Sequence, residues 1–258
     1  MTTRISTALI DVPMKSQPDT VMEGLRPHGY GDVAGPRGQE AVRVGASASA
    51  DGPSGAIARA EELVAQTPGA WMPQQFENPA NPAYHRSTTG PEILSDFAGR
   101  KLDFWVTGWG TGGTLTGVGE VLKVARPQTK IITTEPAGAS LLSGKDWAPH
   151  KIQGWTPDFI PAVLNQNIAN EIIPVDDVLA RDTARRLAAE EGVFVGISAG
   201  ATLAAALRVA EKAEPGSVIL AMLPDTGERY LSTFLFEGVS EGSDDEWLAE
   251  FEAKTLAA

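Results

Sequence analysis

The sequence contains no cysteine. That absence removes disulfides, thiolate nucleophiles and cysteine-ligated metals together. Histidine is scarce too: His28, His85 and His150 are the only three, and no two are spaced i, i+4. Such a set argues against a zinc site. No apolar run approaches the about 20 residues that a membrane helix needs. Positive charge is in deficit, with 21 Lys and Arg against 33 Asp and Glu for a net charge of −12. A nucleic-acid partner is disfavoured on electrostatic grounds. The first residues lack the basic-then-apolar pattern of a secretory signal, so the expected compartment is the cytoplasm. What remains is ordinary for a soluble globular chain: 258 residues, 42% hydrophobic and 21% charged. That length holds one large domain or two small ones with a sizeable core.

Residues 108–117 read GWGTGGTLTG, between an apolar run at 102–106 and a helix-like run at 115–125. Strand, glycine-rich turn and helix start, in that order, make a cradle for a phosphate. N–H groups at a helix N-terminus are unpaired, and the helix dipole favours negative charge there. Gly110, Gly112 and Gly113 let backbone approach a ligand, and Thr111 and Thr114 add hydroxyl donors.

From residue 51 onward the pattern is regular. Ser54 is placed to cap a helix through AIARAEELVAQ, ending before Pro68 and Gly69. The Asn- and Pro-rich stretch NPANPAYHRSTTG reads as a connection, followed by a helix at PEILSDFAG. A strand is expected at LDFWVT, and short buried strands at KIITTEP and at residues 171–175. Asp176 or Asp177 caps a helix whose Ala180, Ala184, Leu187 and Ala188 share one face, with Gly192 at its end. VFVGI reads as a strand leading into a helix at AGATLAAALRVAEKA, and SVILAMLP as the last strand. Alternating strands and helices predict an α/β fold, a mostly parallel twisted sheet with helices on both faces. Met72, Phe76, Phe104, Trp105 and Trp109 are expected to fill core or interface. Residues 1–50 show no sustained period and read as irregular. The tail at 237–258 is acidic, with Trp247, Leu248 and Phe251 spaced to dock one helical turn.

Several strings stand in a familiar order: SGAIARAEEL, MPQQFENPANP, TTGPEI, GWGTGGTLTGVG, TEPAGASLLSG, PHKIQG, DFIP, GVFVGISAGA and LPDTGERYLSTFLF. Between about residues 51 and 236 the chain closely resembles cysteine synthase (O-acetylserine sulfhydrylase), a fold-type-II enzyme dependent on pyridoxal phosphate. The resemblance implies β-replacement of O-acetyl-L-serine by sulfide, giving L-cysteine and acetate. A homodimer is implied, as is docking of serine acetyltransferase in the cleft. Cystathionine β-synthase shares the fold and the glycine loop and is an alternative. Residues 51–98 then correspond to a remnant of the smaller domain and its crossover, and 99–236 to the large cofactor-binding domain.

The resemblance places Gly110, Thr111, Gly112, Gly113 and Thr114 on the cofactor phosphate. It places Ser198 beside the pyridine nitrogen, where a neutral hydroxyl leaves that nitrogen largely unprotonated. Read from sequence alone, Ser198 is a helix N-cap. Gln75 resembles a glutamine that helps bind the substrate carboxylate, with Gln74 the alternative one register away. Gly154 falls where the family's loop nears the cofactor, although Trp155 to Asp158 depart from its commonest form. Thr226 falls on the pyridine side. His85, His150 and Asp225 are expected to be structural. No catalytic residue is assigned: the family's Schiff-base lysine lies in an SVKDR-like string, absent here together with the TSGNTG-like loop. Lys15 has the wrong neighbours. Such a loss costs orders of magnitude in rate, so impaired catalysis, or a purely binding role, is expected. The abrupt onset of pattern near Asp51 suggests a frameshift, an alternative start or a gene-model error upstream of it.

Overall fold

The computed structural model describes residues 52–239, the short segments 32–33 and 42–43, and residues 242, 243, 245, 246 and 248. β1 (Asp32–Val33) and β2 (Val42–Arg43) pair antiparallel, a departure from the irregular reading of this stretch. The rest of 1–50, Lys15 and His28 included, lies outside the described residues, as do Trp247 and Phe251; Leu248 is exposed.

A four-stranded parallel sheet forms the centre, in the order β5 (Glu171–Val175), β4 (Lys130–Pro136), β3 (Phe104–Gly108), β6 (Ile219–Ala221). Alternation along the strands sorts the core into two layers. Trp105 and Ile131 face Leu115, Val118 and Leu122 of α4 (Gly113–Ala125), while Val106, Ile132 and Val175 face the other way. The second layer is covered by α5 (Asp177–Glu191) and α6 (Ile197–Ala210). Helices therefore lie on both faces, as the strand–helix alternation predicts. Burying a large apolar side chain such as Trp105 or Ile132 stabilises by about 1.5–3 kcal/mol.

The expected boundaries hold where the signal is chemical. β4 and β5 span the predicted residues, Asp176 caps α5 by accepting from the Leu179 amide at 2.8 Å, and Gly192 ends it in the left-handed region at φ 70°. Four expectations need correction. Ser54 does not cap α1 (Gly52–Gln66); it lies inside it, and its hydroxyl donates to Asp158. VFVGI is not a strand: Val195 makes one isolated bridge to Thr226, and α6 has begun by Ile197. Ser198 is accordingly not the N-cap, a position held by Gly196. The Asn- and Pro-rich connection contains a helix, α2 (Ala80–Ser87), followed by α3 (Thr89–Asp96). Pro82 sits in the first turn of α2, where a missing N–H costs nothing.

Helix α2 packs against α4 through glycine. A Cβ on Gly113 would meet Asn81 Oδ1 at 1.8 Å, and one on Gly117 would meet the Pro82 carbonyl at 2.3 Å. These two residues, one turn apart, open a trough for the second helix. Helix α1 belongs to a separate small cluster, in which Ala56 and Ala60 pack with Leu63, Val64, Ala70 and Met72.

Candidate active site

The connection leaving β3 runs through α4 on one sheet face, and the connection entering β6 runs through α6 on the other. Open α/β sheets bind ligands outside the carboxyl ends of strands where the connections part in this way. At that edge lie the glycine turn 108–113 and the start of α6 with Ser198.

The turn is shaped by two close approaches and one left-handed residue. A Cβ on Gly108 would strike the Trp155 ring at 1.9 Å, and one on Gly110 the Gly154 carbonyl at 2.2 Å. Gly112 has φ 83°, a left-handed conformation that glycine adopts without strain. Among the described residues, no backbone carbonyl accepts from the amides of Gly110, Thr111, Gly112, Thr114 or Leu115. Amide donors without carbonyl partners at a helix N-terminus suit a dianionic oxygen group. Thr111 Oγ1 accepts from Asn81 Nδ2 at 2.8 Å and from the Gly113 amide at 3.3 Å. With its lone pairs so used, the Thr111 proton is left to donate to a ligand.

Helix α2 supplies two residues that sequence reasoning did not place here. Asn81 also donates to the Gln75 carbonyl at 2.9 Å. His85 lies between two hydroxyls, with Nε2 at 3.2 Å from Thr114 Oγ1 and Nδ1 at 3.0 Å from Thr89 Oγ1. Burial lowers its pKa from the usual 6.5, so the ring is neutral and donates through only one nitrogen. The signal was present in the sequence: Asn81 and His85 stand i, i+4 apart, hence on one helix face.

Gln75 reaches this network through its backbone carbonyl. Gln74 has φ 48°, donates from Nε2 to Glu61 at 3.3 Å, and keeps Oε1 buried without a partner. The 154–158 segment crosses the mouth of the turn. The Thr156 amide donates to the Trp109 carbonyl at 3.0 Å, and its own carbonyl receives Trp147 Nε1 at 2.9 Å and faces His150 Nε2 at 3.2 Å. Thr156 Oγ1, Asp158 Oδ1 and Gln153 Oε1 are buried without partners. Thr156 is only 1% exposed and has φ 35°, a strained value for a β-branched residue.

Ser198 is buried in the first turn of α6. Asp225 lies against the start of that helix: its carbonyl accepts from the Gly196 amide at 3.2 Å, and its carboxylate from the Tyr230 hydroxyl. Burial raises the pKa of Asp225, while the Tyr230 and Ser198 hydroxyls and the Arg229 charge pull it back down. His85, expected to be structural, thus touches Thr114 of the turn, and Asp225, also expected to be structural, lies against the start of the helix that carries Ser198.

A glycine turn and helix N-termini at the switch point of a parallel sheet are the arrangement with which open α/β folds bind phosphorylated ligands. The family described as pyridoxal-phosphate dependent enzymes matches residues 37–225, and this chain belongs to it. O-ureido-L-serine synthase of Streptomyces lavendulae is 60% identical over 193 residues, covering 75% of this chain and 59% of that protein. Cysteine synthase of Staphylococcus aureus (strain Mu50) is 48% identical over 182 residues, covering 70% and 58%. A crystal structure of an O-ureido-L-serine-bound lysine-to-alanine mutant of O-ureido-L-serine synthase superposes with a TM-score of 0.74. It is 58% identical and covers 77% of this chain and 62% of that one. The chain therefore spans about three-fifths of the length of the curated relatives it matches.

Proposed function

We propose that this chain binds pyridoxal phosphate with its phosphate in the turn Gly110, Thr111, Gly112, Gly113 and Thr114 and its ring toward Ser198. The observation that carries this reading is the set of turn amides with no carbonyl partner beside a Thr111 hydroxyl that accepts two bonds and keeps its proton to donate. Charge-assisted hydrogen bonds to a phosphate stabilise by roughly 1.5–3 kcal/mol each. Pyridoxal phosphate, when bound, supplies an electron sink that labilises bonds at the substrate α-carbon. The residues of this chain hold the phosphate, shield the site with Trp155 and Leu164, and orient the amino-acid substrate near Gln75.

The reaction we assign is β-replacement on an O-acetyl-L-serine-type substrate in a homodimeric enzyme, slowed here because no lysine stands in an SVKDR-like string. Two nucleophiles fit the relatives: sulfide, as in cysteine synthase, and an N-hydroxyurea, whose group O-ureido-L-serine carries. The second is favoured by the higher identity, 60% against 48%. The unpaired buried oxygens of Thr156 and Asp158 also suit a nucleophile bearing N–H donors better than sulfide. A purely binding role, with serine acetyltransferase as partner, is the second reading, and the missing lysine motif favours it.

The test is titration of the purified chain with pyridoxal phosphate and, separately, with pyridoxal. Saturable binding of the first and not the second is expected, with Gly113→Ala abolishing it. Equal binding of both ligands would remove the turn from the site. Product analysis with O-acetyl-L-serine and each nucleophile then separates the two reactions, and the absence of any product alongside acetyltransferase capture selects the binding role.

A further inference from the structure

Thr156 is held in a conformation that it does not favour. Its φ of 35° lies in the left-handed region, which a β-branched residue adopts only under strain. Its backbone is pinned on both sides. The amide donates to the Trp109 carbonyl at 3.0 Å, and the carbonyl accepts from Trp147 Nε1 at 2.9 Å and faces His150 Nε2 at 3.2 Å. The two residues before it are wedged against the glycine turn, Gly154 by its carbonyl at Gly110 and Trp155 by its ring at Gly108. Thr156 is 1% exposed, and its Oγ1 is buried without a partner. Among the described residues the one other non-glycine residue with positive φ is Gln74, whose side chain is turned toward Glu61 of α1. Strain of this kind persists only where neighbours over-determine it, and it gathers where ligands are held. A buried hydroxyl without a partner has also given up the hydrogen bonds it had in water. Two unfavourable features thus meet at one residue beside the turn, and a ligand that bonds the hydroxyl accounts for both.

We propose that Thr156 is a specificity-determining residue whose hydroxyl recognises a carbamoyl-type group on the side chain of the amino-acid substrate. The inference rests on the cofactor reading above and deepens it on the substrate side. A hydroxyl both donates and accepts, so it answers an uncharged group that sets a carbonyl oxygen beside N–H donors. Sulfide offers no such pair. Asp158 Oδ1, two residues on, is a second buried acceptor without a partner, its Oδ2 being held by the Ser54 hydroxyl. The segment is therefore short of donors, and a carbamoyl group brings them. A site that hydrogen-bonds a polar substrate group rejects the analogue lacking it, because its own buried groups are then left unpaired.

The experiment loads the full chain with pyridoxal phosphate and titrates it by calorimetry with O-ureido-L-serine and, separately, with L-serine, which lacks the carbamoyl group. The wild type is expected to prefer O-ureido-L-serine by about tenfold or more. Thr156→Val keeps the branched shape and removes the hydroxyl. It is expected to bind O-ureido-L-serine about tenfold more weakly, with its affinities for pyridoxal phosphate and L-serine unchanged. Thr156→Ser restores a hydroxyl and is expected to keep the preference. Without ligand, Thr156→Val is expected to unfold no earlier than the wild type, since an apolar group replaces a buried polar one that had no partner. A hydroxyl with a merely structural task would lower that midpoint when removed. Should Thr156→Val fail to fold by circular dichroism, Thr156→Ala replaces it in the titrations with the same expected loss. Three results overturn the proposal while leaving cofactor binding intact: a loaded wild type without the preference, a hydroxyl-free variant that keeps it, or a Thr156→Ser variant that loses it. A lowered midpoint in the ligand-free, folded Thr156→Val variant overturns it as well. Failure of the wild type to bind pyridoxal phosphate sinks the cofactor reading itself, and this inference with it.

Discussion

Asn81 Nδ2 donates to Thr111 Oγ1 at 2.8 Å, joining helix α2 to the glycine turn across thirty residues of sequence. The same amide nitrogen holds the Gln75 carbonyl at 2.9 Å. Replacing Asn81 by Ala takes a donor from the Gln75 carbonyl and leaves Thr111 Oγ1 with the longer Gly113 amide bond alone, freeing that hydroxyl to rotate. Each lost bond costs about 1 kcal/mol, more where the partner stays buried. Asn81→Ala is expected to lower the denaturation midpoint modestly and to weaken pyridoxal phosphate binding about tenfold. Unchanged affinity in a calorimetric titration would show that the phosphate does not use Thr111.

Gly113 tests the same contact from the other side. A methyl group there would lie 1.8 Å from Asn81 Oδ1, so the Asn81 amide must leave its place between Thr111 and Gln75. Gly113→Ala is expected to destabilise by about 1–3 kcal/mol and to abolish phosphate binding. Gly138→Ala is the control, since a Cβ there meets nothing within 4 Å and φ is not positive. Its unfolding curve should overlay that of the wild type. Equal midpoints for both variants would refute the packing argument.

The same residues show what a sequence conveys. β4, β5 and the caps of α5 were legible because apolar runs bounded by Asp and Gly act through local chemistry. The glycine turn was legible for the same reason. Helix α2 was not, because its proline and asparagine, with Pro79 just before them, carry loop propensity. Only the fit of Asn81 and Pro82 against Gly113 and Gly117 makes it a helix. VFVGI has strand composition, yet among the described residues its one pairing is an isolated antiparallel bridge to Thr226, outside the parallel sheet. The approach of Asp225 to Gly196 and of His85 to Thr114 joins distant segments, and no local pattern announces it.

Glu135 illustrates a buried carboxyl group with an architectural task. It is fully buried at the end of β4 and accepts from the Leu142 amide at 3.1 Å, the Ser143 amide at 3.0 Å and the Ser143 hydroxyl at 2.6 Å. These bonds fold the turn at 140–144 that follows the strand. Glu135→Ala leaves the Leu142 amide and the Ser143 hydroxyl unsatisfied and opens a cavity, while the Ser143 amide keeps the Ser140 carbonyl at 3.1 Å; a loss of about 3–5 kcal/mol is expected. Glu135→Gln keeps an acceptor oxygen and is expected to lose about half as much. Chemical denaturation of both variants checks the order, and a Gln variant as unstable as the Ala variant would show that the charge itself is required.

Stability should also depend on pH through the buried histidines. Burial lowers the pKa of both His85 and His150 from 6.5. Below that value the unfolded chain takes up protons that the folded chain refuses, so the unfolded state binds more of them and stability rises with pH. Each unit of depression removes about 1.4 kcal/mol once both states are fully titrated. Asp225 acts in the opposite sense: its raised pKa means that, from 3.8 upward, the folded chain keeps a proton the unfolded chain has lost. The histidines act nearer neutrality, and a fall in denaturation midpoint is expected between about pH 7 and pH 5. His85→Gln can still meet both threonine hydroxyls but cannot titrate, so it should flatten part of that slope. Protonation of His85 would make both ring nitrogens donors, obliging Thr114 Oγ1 to accept and turning its own proton outward toward the phosphate position. The variant should therefore also lose any strengthening of phosphate binding seen below about pH 6. A slope identical in wild type and His85→Gln would place the pH dependence elsewhere.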